Sequence, residues 1–143
     1  MNIKVSNLGA IGAAVSRRLE AMKVVFTDSI EVAKEGIKRR TESGIGASEK
    51  QLSPPKYSSS WEKKRKKAGL QTSYVDLKFT GDMLNAIRVA YTKKGDVIVG
   101  TIFFDTSYAA AKARWNERFP GRKFFALSQK QQQSIRTKLR QVQ

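Results

Sequence analysis

The stretch VAYTKKGDVIVGTIFF, residues 89–104, decides the fold of this chain. It contains two runs rich in β-branched and aromatic residues, 89–92 and 97–104, joined by a Lys-Lys-Gly-Asp sequence. Such runs around a short turn with glycine are typical of a β-hairpin. The second run is apolar at both alternating sets of positions, so we expect both faces of its strand to be covered. A helix covers one face in this interpretation, and another element or a neighbouring subunit covers the other.

A long helical pattern precedes the hairpin. Its apolar residues recur every three or four positions, which places them on one stripe of an α-helix: Leu8, Ile11, Val15, Leu19, Met22, Phe26, Ile30, Ala33 and Ile37. We expect Gly44 and Gly46 to end the helix. About 30 helical residues extend over about 45 Å, which exceeds the diameter of a domain of this size. We therefore expect either that one end packs against another subunit or that a kink near Gly12 or Gly36 shortens the helix.

The remaining pattern completes a single α+β domain, residues 1–143. Residues 45–75 are predicted to form an extended basic loop. Within it, Ser59 or Ser60 is expected to cap a short helix through Trp61 to Lys67, which Gly69 ends. The predicted fold is a long N-terminal helix packed on a small antiparallel sheet with its central hairpin at 88–104. Asn2–Val5 is a predicted strand followed by a turn at Asn7 and Gly9. Further helices are predicted at 80–87, with Thr80 as its cap, at 108–119 and at 128–142, where Ser128 and Gln131 fit a capping box.

The composition excludes most catalytic chemistry. The 143 residues include no Cys and no His, which rules out disulfides, thiol nucleophiles, imidazole bases and the common zinc sites. Asp76 and Asp82 read as a turn residue and a helix-start residue rather than as a catalytic pair. We predict a protein that is not an enzyme and has no metal or cofactor. No apolar run approaches the ~20 residues that span a bilayer, and we expect a soluble protein used in the cytoplasm or in an assembly made there.

The charge predicts a partner. Lys and Arg number 28 against 12 Asp and Glu, a net charge of +16, which indicates a polyanionic partner, a neutralising neighbour or a solvated basic surface. The candidate contact with DNA or with an acidic protein is a run of five cations: Lys63, Lys64, Arg65, Lys66 and Lys67. Tyr57 and Trp61 beside it are suited to stack on bases or to fit a protein groove. The alternative is a solvated loop with an anchoring Trp.

Three more aromatic residues are candidates for a subunit interface. Trp115 stands between Arg114 and Arg118, as an interface anchor or as part of a helix that packs locally. Phe119, Phe124 and Phe125 flank a Pro-Gly-Arg-Lys turn and either close the core or contact a neighbouring subunit. Trp115, Phe124 and Phe125 form the predicted interface set together with Tyr57 and Trp61.

Several phrases occur in an order that resembles one protein family. They are IKVSNL (3–8) before the long helix, PPKYS (54–58) before Trp61 and the cations, LKFTGDMLNAI (77–87), VIVGT (97–101), Tyr108-Ala109, and FPGRKFFALS (119–128). They resemble tailed-bacteriophage proteins called tail-completion, head–tail joining or virion-morphogenesis proteins. One departure is that residues 111–119 read AKARWNERF, where the family often has a His-Gln-Phe-Gly-like segment.

The resemblance implies a structural role in the virion. Such proteins sit at the neck, between the capsid portal and the tail, commonly as a ring that is sixfold where the tail is sixfold. Implied partners are copies of the chain and other neck and tail proteins (connector or stopper, terminator, tail tube), with genomic DNA as a further contact and no membrane. The protein would be in the host cytoplasm during assembly. The alternatives are a tail terminator or another tail-ring subunit, and, outside the virion, a free basic nucleic-acid-binding protein.

Overall fold

Three antiparallel strands and five helices build the part of the chain that the structure describes. The computed structural model describes residues 1–5, 13–54, 56–95 and 97–142. The elements are β1 (Asn2–Val5), α1 (Ala13–Glu42), α2 (Ser59–Lys67), α3 (Asp82–Asn85), β2 (Ile87–Lys94), β3 (Val97–Phe104), α4 (Ser107–Glu117) and α5 (Gln129–Gln141). The predicted α+β fold, with a long N-terminal helix on a small antiparallel sheet, is confirmed.

The hairpin forms the centre of the sheet. Strand β3 lies between β1 and β2 and pairs antiparallel with both. The hairpin register places Ile87 opposite Phe104 and Lys94 opposite Val97. Gly95 in the turn has a φ of +57°, which glycine adopts without a steric penalty, whereas Asp96 lies outside the described residues. The predicted hairpin is confirmed and begins one residue earlier than expected.

Helix α1 runs without interruption from Ala13 to Glu42, through Gly36. Gly36 is a place of close approach, because a Cβ there would clash with the side-chain amide of Gln131 on α5. Gly44, with a φ of +75°, donates its N–H to Thr41 O and ends the helix as predicted. The predicted strand at Asn2–Val5 forms, whereas the predicted turn at Asn7 and Gly9 and the expected kink at Gly12 fall outside the described residues.

The core lies between α1 and one face of the sheet. Phe26 and Ile30 lie over Gly100 of β3, where a Cβ would be only 3.2 Å from Ile30 Cγ1. The missing side chain therefore lets the helix approach the strand closely. The buried apolar cluster also includes residues from the loops and from the C-terminal part of the chain: Ala33, Ile37, Leu52, Val75, Met83, Leu84, Ile87, Ile102, Ala113, Phe124 and Ile135.

The C-terminal helix is fixed to α1 by polar side chains. Ser128 and Gln131 form the predicted capping box at the start of α5. Gln131 also donates to Ala33 O at 2.9 Å and accepts from Arg40 at 2.6 Å. Arg40 further donates to the carbonyl oxygens of Phe124 and Ala126. The guanidinium of Arg40 therefore connects the last turn of α1 to the C-terminal segment of the chain.

Some predicted boundaries are wrong. The helix expected at 80–87 is a single turn, α3, because Ile87 pairs with Phe104 and begins β2. Its cap is Gly81, in the left-handed region, instead of Thr80. The cap of α2 is Ser58 instead of Ser59 or Ser60, and its side chain makes no capping hydrogen bond. The helix expected at 108–119 spans Ser107–Glu117, and the one expected at 128–142 spans Gln129–Gln141.

Candidate assembly surfaces

The run of five cations at 63–67 is split by the fold. Arg65 is 1% exposed, whereas the four lysines around it face solvent. Helix α2 places Arg65 one turn after Trp61, on the face that packs inward. The Arg65 side chain donates to Gln71 O at 2.8 Å, to Lys78 O, and to Asp76 Oδ2 at 2.9 Å. Arg65 is therefore not available to a phosphate or to an acidic partner, and the candidate contact is reduced to lysines.

Asp76 is the centre of this buried polar network. Its carboxylate accepts hydrogen bonds from Arg65, from Gln71 Nε2 at 2.6 Å and from the Tyr57 hydroxyl at 2.7 Å. Burial and the hydrogen bond to Asp76 raise the pKa of Tyr57 to about 12. The Arg65 guanidinium also lies 4.4 Å from the centroid of the Tyr57 ring. Tyr57, predicted at a subunit interface, is thus half-buried in this network.

The lysines of α2 differ in what they contact. Lys64 Nζ lies 4.8 Å from the centroid of the Trp61 ring, and Lys66 pairs with Glu62 at 2.6 Å. Lys63 and Lys67 are exposed and belong to no ion pair among the described residues. Trp61 packs against Phe79 with ring centroids 5.2 Å apart and is half-buried. The α2 surface is therefore a lysine-rich patch with its aromatic residue turned partly into the fold.

Helix α4 has its large and small side chains on unexpected faces. Its alanines at 109 and 113 are buried against the core, whereas Tyr108 is 64% and Trp115 57% exposed. Phe119 continues this exposed stripe just beyond the helix, with its ring 5.1 Å from that of Trp115. We call Tyr108, Trp115 and Phe119 the α4 ridge. Exposed aromatic side chains in one row are characteristic of interaction surfaces.

Cations surround the α4 ridge. Residues 107–123 contain five of them, Lys112, Arg114, Arg118, Arg122 and Lys123, and none takes part in an ion pair among the described residues. The one carboxylate in this stretch, Glu117, accepts from the N–H groups of Phe124 and Phe125. Its carboxylate therefore binds backbone N–H groups and does not form an ion pair with the cations around it, among the described residues.

The two phenylalanines after the Pro-Gly turn have different environments. Phe124 is fully buried in the chain's own core, so its side chain does not reach a neighbouring subunit. Phe125 is partly buried, with its ring 4.4 Å from that of Phe104. A cleft of about 360 Å³ opens beside it, between α4 and β3, and Phe103 and Arg114 are among its lining residues.

The second face of the sheet is only partly covered by the described elements. Phe103 is 37% exposed there, while Val97 and Val99 are half-buried. Their neighbours across β2 on this face are all exposed: Arg88, Ala90, Thr92 and Lys94. Helix α1 covers one face of the sheet, as expected. The other face is partly exposed to solvent in the part of the chain that the structure describes.

The N-terminal half of α1 projects beyond the core. Its predicted core stripe is fully buried from Phe26 onward, but Val15, Leu19 and Met22 are only half-buried. On the opposite side, Val24 is 66% and Val32 is 48% exposed. The over-long helix therefore leaves apolar surface uncovered within the described residues.

The sequence pattern does not predict Tyr108 as a surface residue, and it leaves Phe119 between the core and a subunit interface. The signal was present in the alanines at 109 and 113, which share a helical face and allow close packing on a strand. A helix with alanines on one face and aromatic residues on the other is usually predicted to bury the aromatic face, because large apolar side chains are mostly found in the core. In α4 the alanine face is buried instead.

Comparison with protein-family models, with curated proteins and with solved structures found no match. Among residues 1–5, 13–54, 56–95 and 97–142, no helix is long and apolar enough to cross a membrane. The same residues contain no group of three or more carboxylates that could hold a metal ion. The surfaces described above are therefore the features from which a function is argued.

Proposed function

We propose that this chain is a structural protein of a tailed bacteriophage, a ring-forming subunit of the neck or tail junction. In this role it joins the tail to the capsid and leaves a channel for DNA. The sequence phrases that resemble tail-completion and head–tail joining proteins support the proposal. The confirmed order of strand, long helix, hairpin and terminal helices agrees with it.

The observation that carries the proposal is the α4 ridge. A chain that already buries a complete core still exposes Tyr108 and Trp115, and it adds the uncovered valines of α1 and the open side of the sheet. A protein that acts alone has little reason to leave such surface in water, whereas a subunit covers it with its neighbours. The excess of positive charge has the same explanation, because acidic neighbours in a particle offset it.

Inactivation of the gene in the phage that encodes it tests this function. We expect electron microscopy of the mutant to show filled heads and finished tails that are not joined. Mass spectrometry of wild-type particles is expected to find the chain in the small number of copies per particle that one ring contains. Normal particles from the mutant, or wild-type particles that lack the chain, would contradict the proposal. Tight binding of the monomer to duplex DNA with a steep salt dependence would favour the nucleic-acid-binding alternative.

The exposed lysines of α2 allow a finer test in the same phage. Replacement of Lys63 and Lys67 by alanine is expected to reduce the joining of heads and tails while each part stays intact. Arg65 is left unchanged because its loss would disturb folding. The matched control replaces Lys93 and Lys94 at the hairpin turn, and an equal defect from that control would show that total charge, and not the α2 patch, matters.

A further inference from the structure

We infer that the α4 ridge of one copy docks on the exposed face of α1 in the next copy. This inference rests on the proposed function, because it names the two surfaces through which neighbouring ring subunits contact each other. It is built from two exposed stripes of opposite character on the same chain. One stripe is aromatic and cationic, and the other is aliphatic and acidic.

The acidic stripe lies on the outer side of α1. It combines the exposed Val24 and Val32 with the exposed carboxylates of Asp28, Glu31 and Glu35. These residues recur every three or four positions and therefore share one helix face. Residues 24–35 contain three carboxylates and one cation, Lys34, in a chain whose net charge is +16. This segment is thus negative within a strongly positive protein.

Ion pairs within the chain leave part of that negative charge available. Lys34 approaches Glu31 at 2.7 Å and Glu35 at 3.4 Å, and these two carboxylates raise its pKa. Lys38 approaches Glu35 at 3.8 Å. Asp28 has one distant partner, Lys138 at 3.9 Å. None of these pairs involves a cation of α4, so the chain does not bring its own two stripes together.

The two stripes match in length and in chemistry. Tyr108 and Trp115 are seven residues apart, about 10 Å along α4, and Val24 and Val32 are eight residues apart, about 12 Å along α1. Arg114 and Arg118 flank the aromatic residues as Asp28 and Glu31 flank the valines. Two helices packed side by side would therefore bury aromatic against aliphatic side chains and place guanidinium groups beside carboxylates.

The aromatic geometry favours a protein partner over single-stranded nucleic acid. Lys112 Nζ lies 4.8 Å from the centroid of the Tyr108 ring, and the Arg122 guanidinium lies 4.9 Å from that of Phe119. These cations occupy ring faces on which bases would otherwise stack. The ridge is also convex, with two helical turns between Tyr108 and Trp115, which suits insertion beside a helix.

A contact between two different surfaces of the same chain has a structural consequence. Each copy offers α4 to one neighbour and α1 to the other, so the interface is heterologous. Such interfaces close into rings when the rotation between copies divides a full turn. The inferred contact is therefore of the kind that a ring requires, and it needs no other protein.

Charge reversal tests the contact directly. We expect sedimentation velocity of the purified wild-type chain to show association that increases with concentration. The variants R114E/R118E and D28K/E31K should each associate at least tenfold more weakly, because like charges then face each other. Mixed in equal amounts, they should associate as well as the wild type, since each reversed stripe meets its complement. The chain that carries all four changes should also recover association.

The control is K93E/K94E, which changes the net charge as much as R114E/R118E but lies at the exposed hairpin turn. It should leave association within twofold of the wild type. Circular dichroism verifies that each variant is folded. If a reversal variant fails to fold, the milder Trp115→Ser and Val24→Ser changes take its place, and each is expected to weaken association.

Several outcomes would overturn the inference. They are a wild-type chain that stays monomeric at every concentration, an equal loss in the control, and reversed variants that do not recover when mixed. A shift of Trp115 fluorescence in the W61F variant on addition of a single-stranded oligonucleotide, without self-association, would assign the ridge to nucleic acid. Association by this contact in a chain absent from particles would instead refute only the proposed function.

Discussion

Arg65 makes a buried ion pair inside a run of residues that looks like a uniform cationic surface. Its guanidinium joins α2 to residues 71–78 through two carbonyl oxygens and the carboxylate of Asp76. Arg65 is the only arginine in the run, and arginine is the cation that buried ion pairs favour. Helical periodicity also singles it out, because Arg65 follows the half-buried Trp61 by four residues and so shares its face. The partner Asp76 could not be predicted, since a contact across eleven residues depends on the tertiary fold.

Removal of Arg65 is expected to destabilise the protein. R65A leaves the carboxylate of Asp76 buried with one partner fewer, and breaking a buried pair in this way typically costs about 3–5 kcal/mol. K63A on the same helix should change the free energy of unfolding by less than about 0.5 kcal/mol, since Lys63 is exposed. Urea denaturation of both variants measures the difference. Equal effects would mean that Arg65 is not the residue that fixes α2.

The hydroxyl of Tyr57 is expected to lose its proton at a higher pH than a tyrosine in water. Its pKa is raised to about 12 in the folded chain, whereas an unfolded tyrosine titrates near pH 10. The folded state therefore holds this proton more tightly, so the stability from the neutral hydroxyl is complete below about pH 10 and is lost as the pH rises to about 12. Tyr91, its pKa also raised to about 12 mainly by burial, should titrate alongside it.

Ultraviolet absorbance of the phenolate measures this titration. The wild-type chain has four tyrosines, and two of them should ionise near pH 12 in the folded state. The variant Y57F should lose about half of that late step. An unchanged late step in Y57F would show that Tyr57 does not hold its proton through the contact with Asp76.

Helix α4 buries its small apolar side chains and exposes its large ones, the reverse of what residue size usually indicates. Its alanines face the core and its aromatic residues face solvent. The helix itself could be predicted from residues 108–119, because Pro120 and Gly121 end it and apolar residues are spaced along it. Which face is buried could not, because both faces contain apolar residues.

The orientation of α4 can be tested with matched substitutions. Ala109 is buried and Ala111 is exposed on the same helix. Leucine at 109 introduces extra methylene groups into a packed space, which typically costs about 1–3 kcal/mol. A111L should change the free energy of unfolding by less than about 0.5 kcal/mol. Thermal or urea denaturation compares the two variants, and a larger loss from A111L would contradict the described orientation.

Local signals predicted most elements, while boundaries depended on tertiary pairing. The hairpin and the capping box at Ser128 each have a cause within a few residues. Ile87 was predicted in a helix because Asp82 and Leu84 precede it with helical spacing. Its place in β2 follows from pairing with Phe104, seventeen positions later, which local patterns do not contain.

The whole molecule places its charges unevenly. Most described carboxylates pair with nearby cations of the same chain, as in Glu42 with Lys78 and Asp105 with Arg88. The excess positive charge therefore collects where carboxylates are scarce, above all around α4 and on α2. The sequence predicted the size of this excess but not its distribution, because distribution depends on which side chains the fold brings together.

Self-association is expected to weaken as salt is added, but not to vanish. Charges at an interface are screened over about 10 Å at 0.1 M salt and about 3 Å at 1 M salt. The aromatic–aliphatic part of the contact is insensitive to this screening and should retain a measurable fraction. Sedimentation at several salt concentrations tests the expectation, with W115S as the variant that should lose the salt-resistant part. Association that strengthens at every step of salt would contradict the role of the charges.

Strand β2 lies at one border of the sheet and ends in two exposed lysines, Lys93 and Lys94. A second sheet that approached this border to extend the hydrogen-bonded ladder would bring like charges together and leave them poorly hydrated. Backbone-to-backbone growth into fibrils is thereby discouraged. Association of copies is then left to side chains on helices, the kind of contact that we infer between α4 and α1.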